Sequence, residues 1–94
     1  MTDNPQQATR ESLIEFPCAF PIKVMGEHAE EYIAEIHAIA RQFDPDYDET
    51  NCELRPSSTG RYIGITITVQ AGSQQQLDDL YRALTSHPRS KVVL

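Results

Sequence analysis

RPSSTGRYIGITITV, residues 55–69, is the stretch that decides the fold class of this chain. Its Pro-Ser-Ser-Thr-Gly segment is typical of a turn, and the residues that follow alternate between the two faces of a strand. One face carries Ile63, Ile65, Ile67 and Val69, and the other carries Tyr62, Gly64, Thr66 and Thr68. Because only one face is apolar, we predict an antiparallel sheet that is covered on one side and open on the other.

The flanking sequence predicts five more elements from the same kinds of pattern. In chain order these are a strand over residues 18–25, a helix over 27–43, a strand over 50–55, a helix from 73 to 86 and a strand over 91–94. Gly26 is expected to close the first strand with a turn, and Ser73 with Gln76 forms a capping box. In the short strand, Cys52 and Leu54 are expected to point inward.

This βαββαβ order predicts an α+β, ferredoxin-like (split βαβ) sandwich, in which a four-stranded antiparallel sheet carries two helices on one face. The first and third strands are then central, and Pro56 indicates that the second strand lies at an edge. Residues 1–12 are polar, so we expect a flexible N-terminal arm there. Residues 13–94 are expected to form a single domain.

The composition is that of an acidic globular domain. The 94 residues carry a net charge of −6, and the eight Lys and Arg residues are scattered along the chain. Both features disfavour binding to nucleic acid and to anionic membranes. No apolar run is long enough for a membrane span or a signal peptide, so we expect a cytoplasmic protein. Cys18 and Cys52 lack the spacing of a metal or redox motif and are expected to be reduced core residues.

No constellation of residues predicts catalysis. His28 and Glu31 have the i,i+3 spacing of helical metal ligands, but acids are ordinary at a helix start, so a solvated helix face is the favoured interpretation. His37 and Arg41 are expected to form a surface pair. Neither cysteine has a neighbouring base or a nucleophile-elbow motif, so we expect no enzyme activity, no metal and no cofactor.

Two binding interpretations concern the turn before the third strand and the open face of that strand. The backbone amides of Ser57, Ser58 and Gly60, beside the charge of Arg61, could hold an anion, and the alternative is an ordinary hairpin turn. The open face could bind RNA, because RNA-recognition domains share this topology. Real examples carry several stacking aromatics, whereas Tyr62 stands alone here, so we expect no nucleic-acid binding.

The motifs LIEFPCAFPIKVMG at residues 13–26 and RPSSTGRY at residues 55–62, with the terminal VVL, resemble the YbeD-like family of small bacterial proteins. That family has no assigned activity and is similar to ACT regulatory domains, which bind small metabolites between paired subunits. ACT domains carry a glycine at the first strand-to-helix turn, and Gly26 matches that position. The resemblance therefore implies a ligand site near Met25 and Gly26 and a homo-oligomer, and it transfers no catalytic residue.

These observations together predict an ACT-like regulatory module that binds a small metabolite or a protein partner as an oligomer. Two alternatives stay open. One is a protein-interaction adaptor without a ligand, and the other is an RNA-binding domain.

Overall fold

The two longest strands lie side by side at the centre of one antiparallel sheet. The computed structural model describes residues 15–94. Its elements are β1 (Cys18–Glu27), α1 (Glu30–Phe43), a 3-10 turn (Glu49–Asn51), β2 (Glu53–Pro56), β3 (Tyr62–Ala71), α2 (Gln74–Thr85) and β4 (Ser90–Val93). The strand order is β2-β3-β1-β4, and every neighbouring pair is antiparallel. The predicted ferredoxin-like βαββαβ sandwich, with the first and third strands central, is confirmed.

The alternation of β3 separates a buried face from an open face as the sequence predicts. The buried face carries Ile63, Ile65, Ile67 and Val69, none of which is more than 2% exposed. Against it pack the apolar stripes of the two helices, whose most deeply buried residues are Tyr32, Ile36, Ala40, Leu77, Leu80 and Leu84. Burial of one such side chain contributes about 1.5–3 kcal/mol, so this single layer supplies most of the stability of the fold.

Strand β1 continues past Gly26, where the sequence predicts a turn. Gly26 pairs with Ile63 and Glu27 pairs with Tyr62, so α1 begins only at Glu30 and the prediction of a helix from residue 27 is wrong at its start. A Cβ on Gly26 would lie 2.6 Å from the Tyr32 ring and closer still to the backbone oxygen of Arg89. Glycine is therefore required for close approach of neighbouring groups rather than for a turn.

Strand β2 is shorter than predicted and its apolar side chain is not buried. Asp48 caps a 3-10 turn by accepting a hydrogen bond from the Thr50 amide, so the strand starts at Glu53. Leu54 pairs with Ile65 and shares its face, yet Leu54 is 46% exposed. Leu54 is therefore on the inward face, as predicted, but it is not buried, because β2 lies at the sheet edge, beyond the cover of the helices; Cys52 is half-buried.

Strand β4 pairs with only the second half of β1. The ladder joins Val24 to Val93 and Met25 to Val92, and Leu94 extends it through two backbone hydrogen bonds with Lys23, of 2.7 and 3.2 Å. The first half of β1 therefore has a partner on the β3 side alone, among the residues that the structure describes. This arrangement accommodates proline in that half of the strand, because proline has no amide hydrogen to donate.

The second helix begins at the predicted cap. Ser73 Oγ accepts a 3.1 Å hydrogen bond from the Gln76 amide, as a capping box requires. The Gln76 side chain differs from the prediction, because it accepts from the Gly72 amide and donates to the Phe43 carbonyl. It thereby ties the start of α2 to the end of α1. Over residues 15–94, no helix has both the length and the apolar character needed to cross a membrane. The predicted arm, residues 1–12, lies outside the described residues.

Candidate functional site

The fold brings the two segments singled out by the sequence to the same end of the sheet. The His28 amide donates a 3.0 Å hydrogen bond to the Arg61 carbonyl. The His28 ring is 3.1 Å from the Gly60 carbonyl, and because a carbonyl only accepts, Nδ1 is assigned as the donor. The end of β1 and the turn before β3 are thus joined through His28. These two hydrogen bonds give His28 a structural role, which explains its position without a metal ion.

The turn itself is closed by its own hydrogen bonds. The Ser57 amide donates to the Tyr62 carbonyl at 2.8 Å, the Gly60 amide donates to the Ser57 carbonyl at 3.0 Å, and Ser57 Oγ accepts from the Tyr62 amide at 3.2 Å. Gly60 has the positive φ of +79° that a hairpin turn needs. These amides are occupied, so the geometry favours the hairpin interpretation over a backbone anion cradle, and Ser58 is exposed at the tip.

Beside this turn lies a cleft of about 340 Å³, which we call the basic cleft. It is lined by residues from the end of β1, the start of β3 and the start of β4: Glu27, His28, Arg61, Tyr62, Arg89 and Lys91. Of the sequence-predicted site residues only Arg61 lines it. Gly26 is enclosed by Tyr32 and Arg89, and Met25 is 40% exposed on the open face beside Val92.

The basic cleft concentrates charge that is dispersed in the sequence. Arg61, Arg89 and Lys91 are three of the eight Lys and Arg residues, and they share the cleft with one carboxylate, Glu27. Arg89 Nη1 is 3.1 Å from Glu27 Oε1, and Lys91 Nζ is 3.9 Å from Glu27 Oε2. The basic residues are scattered along the sequence, but the pairing of the strands brings three of them together in space.

Arg61 carries the charge that Glu27 does not balance. Its guanidinium lies 5.8 Å from the centre of the Tyr62 ring. Within residues 15–94, none of the ion pairs involves Arg61. A guanidinium beside an open cleft, stacked against an aromatic ring and without a carboxylate partner there, is suited to contact an anion.

The loop before β4 is held in place by His87. The Arg89 amide donates a 3.1 Å hydrogen bond to His87 Nδ1, which assigns the ring proton to Nε2, the nitrogen that contacts the Glu35 carboxylate. The imidazole packs edge-on against the Tyr32 ring at 5.1 Å between centroids. The Glu27 amide in turn donates to the Arg89 carbonyl at 3.2 Å. These contacts fix the backbone of Arg89 relative to β1, so the cleft is preformed.

A second cleft, of about 330 Å³, lies at the opposite end of the sheet, and we call it the acidic cleft. Its lining includes Asp44, Asp46, Asp48, Asn51 and Gln70. Asp44 Oδ2 accepts from the Gln70 amide at 2.8 Å and Oδ1 accepts from the Asp46 amide at 3.0 Å. Over the described residues, no three His, Cys, Asp or Glu side chains are grouped closely enough to hold a metal ion.

Next to the acidic cleft, His37, Tyr47 and Cys52 form a buried polar cluster. His37 is 9% exposed and its Nδ1 lies 2.9 Å from the Tyr47 hydroxyl, so the prediction of a surface pair with Arg41 is wrong. Burial, and then the Arg41 charge, lowers the pKa of His37. Burial raises the pKa of both Tyr47 and Cys52. A thiol that favours its neutral form is a weak nucleophile, so the cluster has the properties of a structural network.

Comparison with known proteins agrees with this fold. Residues 11–94 match the family described as "Protein of unknown function (DUF493)". A UPF0250 protein of Paraburkholderia phytofirmans is 55% identical over 87 residues, covering 93% of this chain and 98% of that protein. A UPF0250 protein of Leptothrix cholodnii is 51% identical over 94 residues, covering 100% of both chains.

A solved structure shares the architecture. The solution structure of protein HP0495 from H. pylori superposes with a TM-score of 0.62 over 86% of this chain and 85% of that one. Its sequence identity is 11%, so the likeness concerns the fold. The family match, by contrast, covers almost the whole sequence. This chain therefore belongs to the DUF493 family, the YbeD-like group of small bacterial proteins whose curated relatives are called UPF0250 proteins.

Proposed function

We propose that this protein is a non-catalytic, ACT-like regulatory module of the cytoplasm that binds a small anionic metabolite in the basic cleft. The observation that carries the proposal is the local excess of positive charge in a chain whose net charge is −6. Three cations face one carboxylate in one preformed concavity. A cluster of this kind costs electrostatic free energy unless an anion relieves it.

The size and surroundings of the cleft favour a small ligand over a polymer. A volume of about 340 Å³ falls at the lower end of the range for small-molecule sites. Charges separated by more than about 8 Å are largely screened at physiological ionic strength, so the local cations act on a small ion despite the acidic remainder. A long polyanion would extend beyond this distance and meet the acidic surface.

The absence of catalysis is part of the proposal. Its support is the protonation state of Cys52, which contacts the Tyr47 hydroxyl. Burial raises the pKa of Cys52, and the nearby His37 is engaged by the Tyr47 hydroxyl. Neither group is poised to activate a substrate, and neither lines the basic cleft.

We propose further that the module works as a homo-oligomer in which the β4 edge or the open sheet face is covered by a second copy. Val92 is 45% exposed and Leu94 is 69% exposed, both beside Met25 and Lys23 of β1. An exposed edge strand presents unpaired amides and carbonyls together with these apolar side chains. Light scattering at high micromolar concentration tests this part, and a monomer there would contradict it.

A thermal-shift screen of the full chain tests the ligand part. The panel contains amino acids, monocarboxylates and phosphorylated metabolites at one ionic strength and pH. A ligand that binds only the folded state raises the melting temperature progressively with its concentration. A specific hit must be lost in Arg89→Gln and retained in Arg82→Gln, which removes the same charge from the exposed surface of α2. A flat response across the panel would remove support for the proposal.

A second candidate function is supported by the same open face. Met25, Val92 and Leu94 form an exposed apolar patch that a partner protein could cover, which is what an adaptor without a ligand requires. The two candidates separate cleanly. Leu94→Ser would weaken partner binding by an adaptor, whereas it adds no charge and would leave ligand binding in the basic cleft intact.

A further inference from the structure

The number of charges in the basic cleft bears on which class of anion it selects. Three cations and the Glu27 carboxylate leave a net charge of +2 when His28 is neutral. We propose that the ligand is a phosphate monoester, which is a dianion at slightly alkaline pH, and that Glu27 acts as an internal counter-ion that excludes monoanions. This inference deepens the proposed function and rests on it.

Glu27 occupies the position that a simple carboxylate ligand would take. One of its oxygens lies 3.1 Å from Arg89 Nη1 and the other lies 3.9 Å from Lys91 Nζ. Its backbone is fixed as the last residue of β1, paired with Tyr62 and hydrogen-bonded to the Arg89 carbonyl. A tethered group competes within the molecule and does not lose the translational freedom that a free carboxylate loses on binding. A free monocarboxylate would replace Glu27 with an equal charge and gain little from the exchange.

A phosphate monoester carries a second negative charge, which the Glu27 carboxylate lacks. Its second negative charge can engage Arg61, which has no ion-pair partner within residues 15–94, while the remaining oxygens contact Arg89 and Lys91. Guanidinium groups match phosphate oxygens with two parallel hydrogen bonds. The Tyr62 ring, 5.8 Å from the Arg61 guanidinium, offers an apolar wall for the organic part of the ester.

Isothermal titration of the full chain with two probes of the same shape isolates the effect of charge. Phenyl phosphate and phenyl sulfate both place a tetrahedral head group on a phenoxy ring. At pH 8 the phosphate carries two charges, because its second pKa is about 6, and the sulfate carries one. At constant ionic strength we expect phenyl phosphate to bind at least about ten-fold more tightly.

Three variants assign that preference to the cleft. Arg61→Gln should weaken phenyl phosphate at least about ten-fold, while the matched Arg82→Gln should leave its affinity unchanged. Glu27→Gln should strengthen binding of both probes, because the competing carboxylate is gone. All three positions are on the surface, and equal melting temperatures of the unliganded proteins will show that each variant is folded.

The possible results separate the two levels of the proposal. Equal affinity for both probes, lost in Arg61→Gln, would overturn the phosphate class and leave the anion cleft standing. Weaker binding in Glu27→Gln would overturn the counter-ion role, since Glu27 would then position Arg89 and Lys91 for the ligand. Failure of both probes to bind would overturn the phosphate class, and together with a flat thermal-shift panel it would overturn the proposed function. Equal losses in Arg61→Gln and Arg82→Gln would overturn the cleft as a site and with it the proposed function.

Discussion

The two ends of the sheet carry clefts of nearly equal volume, about 340 and 330 Å³, and of opposite charge. At the acidic end two of the three aspartates hold backbone groups, since both oxygens of Asp44 accept hydrogen bonds from backbone amides and Asp48 caps a 3-10 turn. At the basic end three cations meet one carboxylate, and Arg61 has no ion-pair partner among residues 15–94. Charges that hold backbone are structural, whereas charges in excess of local partners are available to a ligand.

The largest expected effect lies at the acidic end. Asp44 is 7% exposed, and Asp44→Ala would leave the amides of Gln70 and Asp46 without their acceptor. We expect a loss of about 3 kcal/mol of unfolding free energy, measured by urea titration. Asp46→Ala, at an exposed position two residues away, should stay within about 0.5 kcal/mol. Similar costs for the two variants would mean that Asp44 does not anchor this end.

The polar cluster behind the acidic cleft should give the next largest effect. Tyr47→Phe removes the hydroxyl that meets His37 Nδ1 at 2.9 Å and leaves a buried ring nitrogen unpaired. The expected cost is about 1–2 kcal/mol by denaturant titration. Tyr81→Phe is the matched control, because the Tyr81 hydroxyl has no hydrogen bond within the described residues, and its cost should be close to zero. A Tyr47→Phe variant as stable as the wild type would contradict the network.

The same cluster predicts how stability changes with pH. Burial holds the pKa of His37 below its usual value of 6.5, so the unfolded chain binds a proton that the folded protein excludes. The contribution of His37 is therefore fully present above pH 6.5 and is lost as the pH falls below it, towards the lowered folded-state pKa. The stability difference between wild type and His37→Gln should shrink over that window. His28→Gln, an exposed histidine removal, serves as the comparison.

A difference that stays constant across this window would contradict the effect of burial on His37. The comparison of the two variants matters because carboxylates also titrate in acid. Measuring each variant against the wild type at the same pH cancels that shared contribution.

The contrast between the ends also shows what the sequence can and cannot reveal. The order of strands and helices is predictable because alternation in β3 and the capping box at Ser73 are local patterns. The basic cleft is not local, since Glu27 and Arg89 are 62 residues apart, with Arg61 between them, and only the β2-β3-β1-β4 order brings them together.

A local signal nevertheless existed for the burial of His37. His37 lies four residues after Ile33 and three before Ala40, which places it on the buried stripe of α1 rather than on its surface. Arg89 and Lys91 gave no such signal, because Arg89 precedes β4 and the register shift between β1 and β4 leaves Lys91 outside the regular alternation. At Gly26 the local signal is misleading. A glycine at this place in the sequence suggests a turn, but here the glycine is needed because neighbouring groups pack too closely for a side chain.

At the basic end, loss of a cation should leave stability almost unchanged. Arg89 and Glu27 are partly exposed, with 39% and 47% of their side chains accessible, and such ion pairs contribute about 0–1 kcal/mol. Arg89→Gln should therefore lower the unfolding free energy by less than about 1 kcal/mol by urea titration. A loss as large as that of Asp44→Ala would make the two ends alike, and the cations would then be structural.

The smallest expected effect is the absence of RNA binding, and it tests whether the basic end serves a small ligand or a polymer. Homopolymer RNA at low salt gives electrostatic binding its best chance, because affinity falls steeply as salt rises. The cleft offers only three cations, Tyr62 is the one aromatic residue on the described open face, and the remainder of the chain is acidic. Fluorescence anisotropy should show no saturation up to micromolar protein. Saturation at micromolar protein that is weakened by Tyr62→Ala would contradict this expectation. It would show that a base of the RNA stacks on Tyr62 and that the basic cleft and the open face together bind nucleic acid.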